Sequence, residues 1–338
     1  MASEKYLCSS PARLHFGLLT VGDSLDYRYG GAGLMIDGPT TTVQAERWDR
    51  LEVSGSASDV AVRTIEHWYS INQPMLAVDF GVKDVSELPL RIRVLKTPPR
   101  HSGFGSGTQL ALSVITATMQ CLGLPIPNAQ GLAIATGRGK RSAIGSHGFR
   151  QGGFLIDRGI GAGEQLAPLD LRIDFPTDWP IVTIMTPDAS GVSGSDEKTA
   201  FKNLPPSTPQ HRQQMVELLK VSIVPAITSR NYDTFAESIF EFGNQSGRMF
   251  ESIQGGAYNG QAIEDVVNLV REFGVTATGQ SSWGPCVFAI LRTTDQTNDL
   301  IDFLTPRLPL GTRIDTWFAD NQGMRLTTQP AIETEQTR

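Results

Sequence analysis

The chain has 338 residues, of which 40% are hydrophobic, 19% charged and 8% aromatic, which excludes a disordered, collagen-like or disulfide-stapled miniature protein. Its formal charge of −6 argues against a general nucleic-acid or anionic-membrane surface, so any basic site must be local. Cys8, Cys121 and Cys286 are too few and too scattered for a disulfide framework or a thiolate zinc site, and with no apolar run long enough for a leader or a membrane span the expected compartment is the cytoplasm.

In chain order, the spacing predicts strands over 6–19, 29–36 and 41–53, then a helix carrying Ala61, Ile65, Trp68 and Tyr69. Leu90, Ile92 and Val94 alternate as a strand that Pro98 and Pro99 stop. A glycine-rich turn, His101 to Gly107, leads into a helical stripe, Leu110, Val114, Ala117 and Cys121, ended by Gly123 and Pro125. Further strand-like alternation is expected over 134–144 and 152–156. The segment DFPTDWP, 174–180, is the candidate junction between an N-terminal domain, 1–175, and a C-terminal one, 176–330. Beyond it come a strand at 181–185, a polar loop at 187–195, helices near 211–227, 232–242 and 261–273, and a last pair of strands, 275–278 and 287–291. The end of the chain, polar from Thr327, reads as a loose tail, assigned to 331–338.

Two segments carry the strongest chemical signal. In HSGFGSGTQLAL, 101–112, Gly103, Gly105 and Gly107 allow a tight turn, after which the N–H groups opening the helix form an anion cradle. Ser102, Ser106 and Thr108 add hydroxyls suited to phosphate oxygens or a magnesium ion; a plain turn capped by Ser106 is the alternative. The segment 137–159 gathers Arg138, Lys140, Arg141, Arg150 and Arg158 against the single acid Asp157, among glycines. It reads as an anion site or a solvated basic hairpin. Arg13 and His15 share one side of the first strand, GQSSWGPC at 279–286 could be a site or a hairpin turn, and Gln254 with Gly255 and Gly256 could be a site or a helix cap. There is no Walker loop, no Rossmann glycine signature at the head of a βα unit, and no zinc-protease, serine-hydrolase or paired-cysteine motif.

The order of these motifs resembles that of the GHMP small-molecule kinases over most of the chain. Pro99 to Thr108 is similar to their P-x-x-x-G-L-G-S-S-A loop, with substitutions. In their next motif, S-G-x-D followed by Gly-Gly, this chain has Ser142-Ala143-Ile144-Gly145 and then Gly152-Gly153, so glycine stands where the kinases carry the acid of phosphoryl transfer. Arg13 to Gly17, Arg28 to Gly31, Gly137 to Gly145, Phe149 with Gly152 to Phe154, Gln254 to Gly256 and Gly279 to Pro285 resemble one branch of that superfamily, the beta-ribofuranosylaminobenzene 5'-phosphate synthases.

The resemblance implies a two-domain α+β fold with the ligand cleft between the domains. It also implies an enzyme that joins phosphoribosyl pyrophosphate to 4-aminobenzoate or 4-hydroxybenzoate with loss of pyrophosphate and carbon dioxide, in the synthesis of a methanopterin-type one-carbon carrier. On that reading Arg13, His15 and Arg141 are catalytic. Ser102, Gly103, Gly105, Ser106, Gly107, Thr108 and Arg138 bind phosphate, and Ser106 also ligates magnesium. Tyr29, Arg150, Gln254, Gln280, Ser281, Ser282 and Trp283 contact substrate. A homodimer and small-molecule partners are implied, with no nucleic acid and no membrane. The other readings left open are an ATP-dependent GHMP kinase and a non-catalytic binder of a phosphorylated metabolite.

Overall fold

The computed structural model describes residues 4–22, 26–140, 142–187 and 204–330. Two long strands set the first sheet: β1 (Lys5–Leu18) runs antiparallel to β3 (Gly31–Arg47) along almost its whole length. The expected strands at 29–36 and 41–53 are thus largely one strand, followed by the short β4 (Glu52–Gly55). Pro39 is tolerated inside β3 because it faces an irregularity of β1 between Ser10 and Ala12, where the ladder of hydrogen bonds is interrupted anyway.

That irregularity also decides which side chains meet the ligand. Strand side chains alternate, so a slip of one residue exchanges the faces. Cys8 lies in the core under the N-terminal helices, whereas Ala12, Leu14 and Phe16 fill a second core against the other half of the molecule. Arg13 and His15 are thereby turned to the helix side.

The sheet is completed by β5 (Leu90–Lys96), which pairs with both β3 and β4, and by β6 (Phe154–Asp157) and β8 (Leu169–Ile173) at the other end of β3. A two-stranded ribbon, β2 (Tyr27–Arg28) with β7 (Ile160–Gly161), flanks it. Helices α1 (Ser58–Phe80) and α2 (Ser106–Leu122) cover one face of the sheet; Trp68, Leu110, Val114 and Cys121 are buried there. The alternation expected over 134–144 is replaced by two short helices, α3 (Ala129–Thr136) and α4 (Ile144–Gln151). Glycines at 137 and 139, both with positive φ, end the first and make the turn to the second.

The 174–180 segment passes from β8 to β9 (Ile181–Met185) and is packed rather than loose: Phe175 and Trp179 are buried in the core shared by both halves. The second sheet has the order β10 (Thr278–Gln280), β11 (Val287–Ile290), β9, β12 (Arg313–Trp317), all antiparallel. Its helices include α5 (Pro209–Glu217), which runs on through a π-helical turn, Leu218–Ile223, into α6 (Val224–Thr228). Next come α7 (Tyr232–Arg248), the single turn α8 (Glu251–Gln254), α9 (Gln261–Glu272) and α10 (Thr294–Leu304). The polar loop expected at 187–195 lies, past Pro187, outside the described residues, as does the tail 331–338.

Two expectations near the end of the chain are corrected. The hairpin is not the last pair of strands, since α10 and β12 come after it. Thr327 belongs to no tail: β13 (Arg325–Gln329) returns to the first sheet and pairs antiparallel with β1, Leu7 opposite Thr327. Its alternating polar residues suit an edge strand with one solvated face.

Candidate functional site

A cleft of about 650 Å³ opens where the first sheet, α2 and the segment between α3 and α4 meet α7 and the loop after β10. It is built on β1, whose Arg13 and His15 both line it. Arg13 N donates to Phe104 O at 3.0 Å, fixing the glycine loop against the strand. The Arg13 side chain then runs beside Gly105, where a built Cβ would stand 3.0 Å from Nε. With φ of +68° and that neighbour, position 105 admits only glycine at low cost.

Thr108 N and Gln109 N both donate to Gly105 O, so the N–H groups of Ser106 and Gly107 precede the first helical hydrogen bond of α2. Arg138 lies against Gly107, about 3.7 Å from where a Cβ would be. Burial, then the like charges of Arg63 and Arg100, push its guanidinium down, an environment that an anion would relieve. Lys140 joins Arg13 and Arg138 on this side, and among the described residues no aspartate or glutamate lines the cleft.

The loop after β10 is pinned to the same place. Ser281 Oγ accepts from His15 N at 3.0 Å and donates to Gly103 O at 2.7 Å, while Ser282 N donates to His15 O at 3.1 Å. Gly284 packs so closely on the backbone at Ser102 and Gly103 that any side chain there would collide with it. Three segments far apart in sequence are thus held by one buried hydroxyl. Trp283 and Phe250 meet edge to face, with ring centroids 4.9 Å apart, and together with Tyr29 form the apolar end of the cleft.

Of the residues singled out from the sequence, Arg13, His15, Tyr29, Thr108, Arg138, Gln254, Gln280, Ser282 and Trp283 line the cleft. Several others have different work. Ser102 and Ser106 both donate to Pro99 O, at 2.7 and 3.1 Å, and so close the loop rather than face a ligand. Ser281 is fully buried as the pin just described. Arg150 sits in the last turn of α4, and its Nη1 donates to Pro127 O, away from the cleft. Gly103 and Gly107 shape the loop without lining the cleft. Arg141 lies outside the described residues. The two glutamines present side chains already engaged: Gln280 takes Asn259 N and donates to Gly284 O, and Gln254 donates to Gly247 O and Gly256 O.

Among the described residues no cluster of three histidine, cysteine or carboxylate groups is placed to hold a metal; Ser106 Oγ donates its proton to Pro99 O and keeps its lone pairs, so a magnesium ion would have to be brought mainly by a pyrophosphate ligand.

Sequence reasoning missed a line of polar groups behind the cleft. His15 Nε2 lies 3.0 Å from Ser142 Oγ, which donates to Asp157 Oδ2 at 3.2 Å. Asp157 also accepts from Ala143 N at 2.9 Å and Gly159 N at 3.0 Å. Burial, then the positive charge of Arg13, hold the imidazole well below its usual range, so it is neutral at neutral pH. Ser246 and Tyr258 also line the cleft without having been singled out, as does Lys140, which the sequence offered only as part of the basic run.

Comparison with known proteins bears on this arrangement. The chain matches the N-terminal domain model of the GHMP kinases over residues 70–149 and the C-terminal model over 223–308. It is 27% identical over 317 residues, 88% of this chain and 93% of the relative, to the beta-ribofuranosylphenol 5'-phosphate synthase of Methanocaldococcus jannaschii. The protein of that name from Methanothermobacter thermautotrophicus is 27% identical over 84% of this chain and 88% of its own. Among solved structures, a homoserine kinase from Cytophaga hutchinsonii superposes with a TM-score of 0.60 at 16% identity, covering 97% of this chain and 98% of its own, which speaks to the fold alone.

Proposed function

Because the chain belongs to the GHMP kinase superfamily and is an enzyme related to its ribofuranosylphenol phosphate synthases, we propose that it is a decarboxylating phosphoribosyltransferase. It would join phosphoribosyl pyrophosphate to a 4-substituted benzoate, releasing pyrophosphate and carbon dioxide and leaving a C-riboside 5'-phosphate. The single observation that carries this reading is a cleft with Arg13, Arg138 and Lys140 at one end, Tyr29, Phe250 and Trp283 at the other, and glycine at position 145 where a kinase keeps its acid.

Loss of pyrophosphate from the sugar leaves an electron-poor anomeric carbon, and negative charge builds on the departing oxygens. The N–H groups opening α2 and the Arg138 guanidinium are oriented before that charge appears, which is why they lower the barrier rather than merely bind. The aromatic end would hold the benzoate ring so that the carbon bearing the carboxylate attacks. Gly145 supports the change of chemistry: its carbonyl accepts Gln109 Nε2 at 2.9 Å, and among the described residues no carboxylate lines the cleft to activate an attacking alcohol.

The relatives are named for a phenol, so 4-hydroxybenzoate is the acceptor we put first and 4-aminobenzoate second. The same reading places the enzyme in the making of a methanopterin-type one-carbon carrier and in the cytoplasm; the three cysteines are free and buried, as suits a reducing compartment. Purified protein with magnesium, phosphoribosyl pyrophosphate and carboxyl-labelled acceptor is expected to release labelled carbon dioxide only when both substrates are present. Consumption of ATP over a panel of small alcohols, with no release, would overturn the proposal in favour of a kinase.

A further inference from the structure

We infer that Ser142 and Asp157 are positioning residues that lock the His15 imidazole in the tautomer with its proton on Nε2, leaving Nδ1 as a hydrogen-bond acceptor for the ring hydroxyl of the acceptor. The inference deepens the proposed transfer and rests on it for the identity of that hydroxyl. The tautomer itself is fixed by the hydrogen-bond geometry.

Both oxygens of Asp157 already accept backbone N–H groups, from Ala143 on Oδ2 and Gly159 on Oδ1, as a carboxylate does. A carboxylate only accepts, so the Ser142 hydroxyl spends its proton on Oδ2 at 3.2 Å. The Ser142 oxygen therefore faces His15 Nε2, 3.0 Å away, with lone pairs, and Nε2 must carry the hydrogen. A neutral imidazole with its proton on Nε2 is an acceptor at Nδ1. The surroundings leave the chain little freedom: Asp157 is fully buried, and His15 is held along its backbone by Ser281 and Ser282. Burial and the Arg13 charge keep the ring neutral and so able to accept.

In the transfer this acceptor has a defined task. The ring hydroxyl stands para to the attacking carbon, and electron release from its oxygen makes that carbon nucleophilic. As the carbon–carbon bond to the sugar forms and the bond from the anomeric carbon to pyrophosphate breaks, the hydroxyl proton passes to His15 Nδ1. As carbon dioxide leaves, its bonding electrons re-enter the ring and the proton returns to the oxygen, so no proton is gained or lost overall. The transient imidazolium would be stabilised through Ser142 by the Asp157 charge. A kinase-type acid at position 145 is not needed for this sequence.

The test uses full-length protein with nitrogen-15-labelled histidine. His15 is identified among the 5 histidines by loss of its signals in His15→Gln. The wild type is expected to show the proton on Nε2, whereas Ser142→Ala and Asp157→Asn are expected to mix the tautomers or move the proton to Nδ1; Ser142→Thr, which keeps the hydroxyl, should restore the wild-type pattern. An unchanged Nε2–H tautomer in folded Ser142→Ala and Asp157→Asn would overturn the lock. In the transfer assay the same two variants are expected to lose about 10²-fold or more in kcat on 4-hydroxybenzoate, in the range of a lost proton acceptor, with KM for phosphoribosyl pyrophosphate little changed. If the wild type releases no carbon dioxide, the proposed transfer falls, while the nitrogen spectra still decide the tautomer.

Discussion

Asp157 shows how much a single buried group can weigh. Burial pushes its carboxyl from an ordinary 3.8 up to about 6, against the pull of the hydrogen bonds from Ala143 N, Gly159 N and Ser142 Oγ. An acid whose folded value is raised binds more protons folded than unfolded between those two values. It therefore costs stability at neutral pH, and the cost is relieved as pH falls through about 6. The scale is about 3 kcal/mol, at 1.36 kcal/mol per pH unit. Thermal unfolding of wild type and Asp157→Asn at pH 7 and pH 5 should show the wild type gaining on the variant at the lower pH; a constant difference would mean that the carboxyl titrates elsewhere. In the sequence Asp157 is visible only as the lone acid in a basic run. Its link to His15, far away in the chain, depends on β6 lying beside β3 and β3 beside β1, with Gly31 opposite Asp157 and Gly33 opposite His15. No local spacing encodes such a register.

At the scale of elements, the loop before α2 is where local chemistry was most legible and most easily misassigned. Its glycines and hydroxyls announce an anion cradle, and the structure shows the turn such a cradle would need, with the Ser106 and Gly107 N–H groups ahead of the first helical hydrogen bond. Which hydroxyls face outward is settled by Pro99, whose carbonyl draws both Ser102 and Ser106 inward and leaves Thr108 on the cleft. The expected consequence is a split between two substitutions. Gly105→Ala, forced into a left-handed conformation beside Arg13, should weaken binding of phosphoribosyl pyrophosphate in calorimetry by about five- to thirtyfold, from strain on the order of 1–2 kcal/mol. Ser281→Ala removes the hydroxyl that joins β1 to the loop. It should lower unfolding stability by about 1–3 kcal/mol, because His15 N and Gly103 O both lose a buried partner. Equal effects of the two changes on binding would deny Ser281 its pinning role. The helices α3 and α4 escaped sequence reasoning for a related reason. Glycines dominate 137–153, and a helix of eight residues between glycine turns has too short a period to separate from a strand.

At the scale of the whole molecule, the two halves share one core. Phe16, Phe154 and Ile36 from the first sheet meet Phe288, Ile290 and the α7 residues Phe235, Ile239 and Phe242 in a single buried cluster. The expected junction at 174–180 does lead from one sheet to the other, but its aromatic residues are part of that core, and a bridge from Ile36 to Ala319 ties the returning chain to the first sheet. Composition could not show this, because prolines and aspartates look alike in a linker and in a buried crossing. Pairing of β13 with β1 also sets an order of events in time. The outer edge of β1 is completed by residues 325–329, so a nascent chain carries that edge unpaired until nearly all of the described sequence has emerged. Loop closure over more than 300 residues makes this pairing slow relative to the local hairpins. Weakening it with Leu326→Ala, opposite Cys8, should leave the second sheet's protection from hydrogen exchange intact while the amides of Leu7 and Ser9 exchange faster; uniform loss across both sheets would show that the seam locks as one unit with the rest. A chaperone or a protease meeting the chain during synthesis would thus find its first strand to be the last one finished.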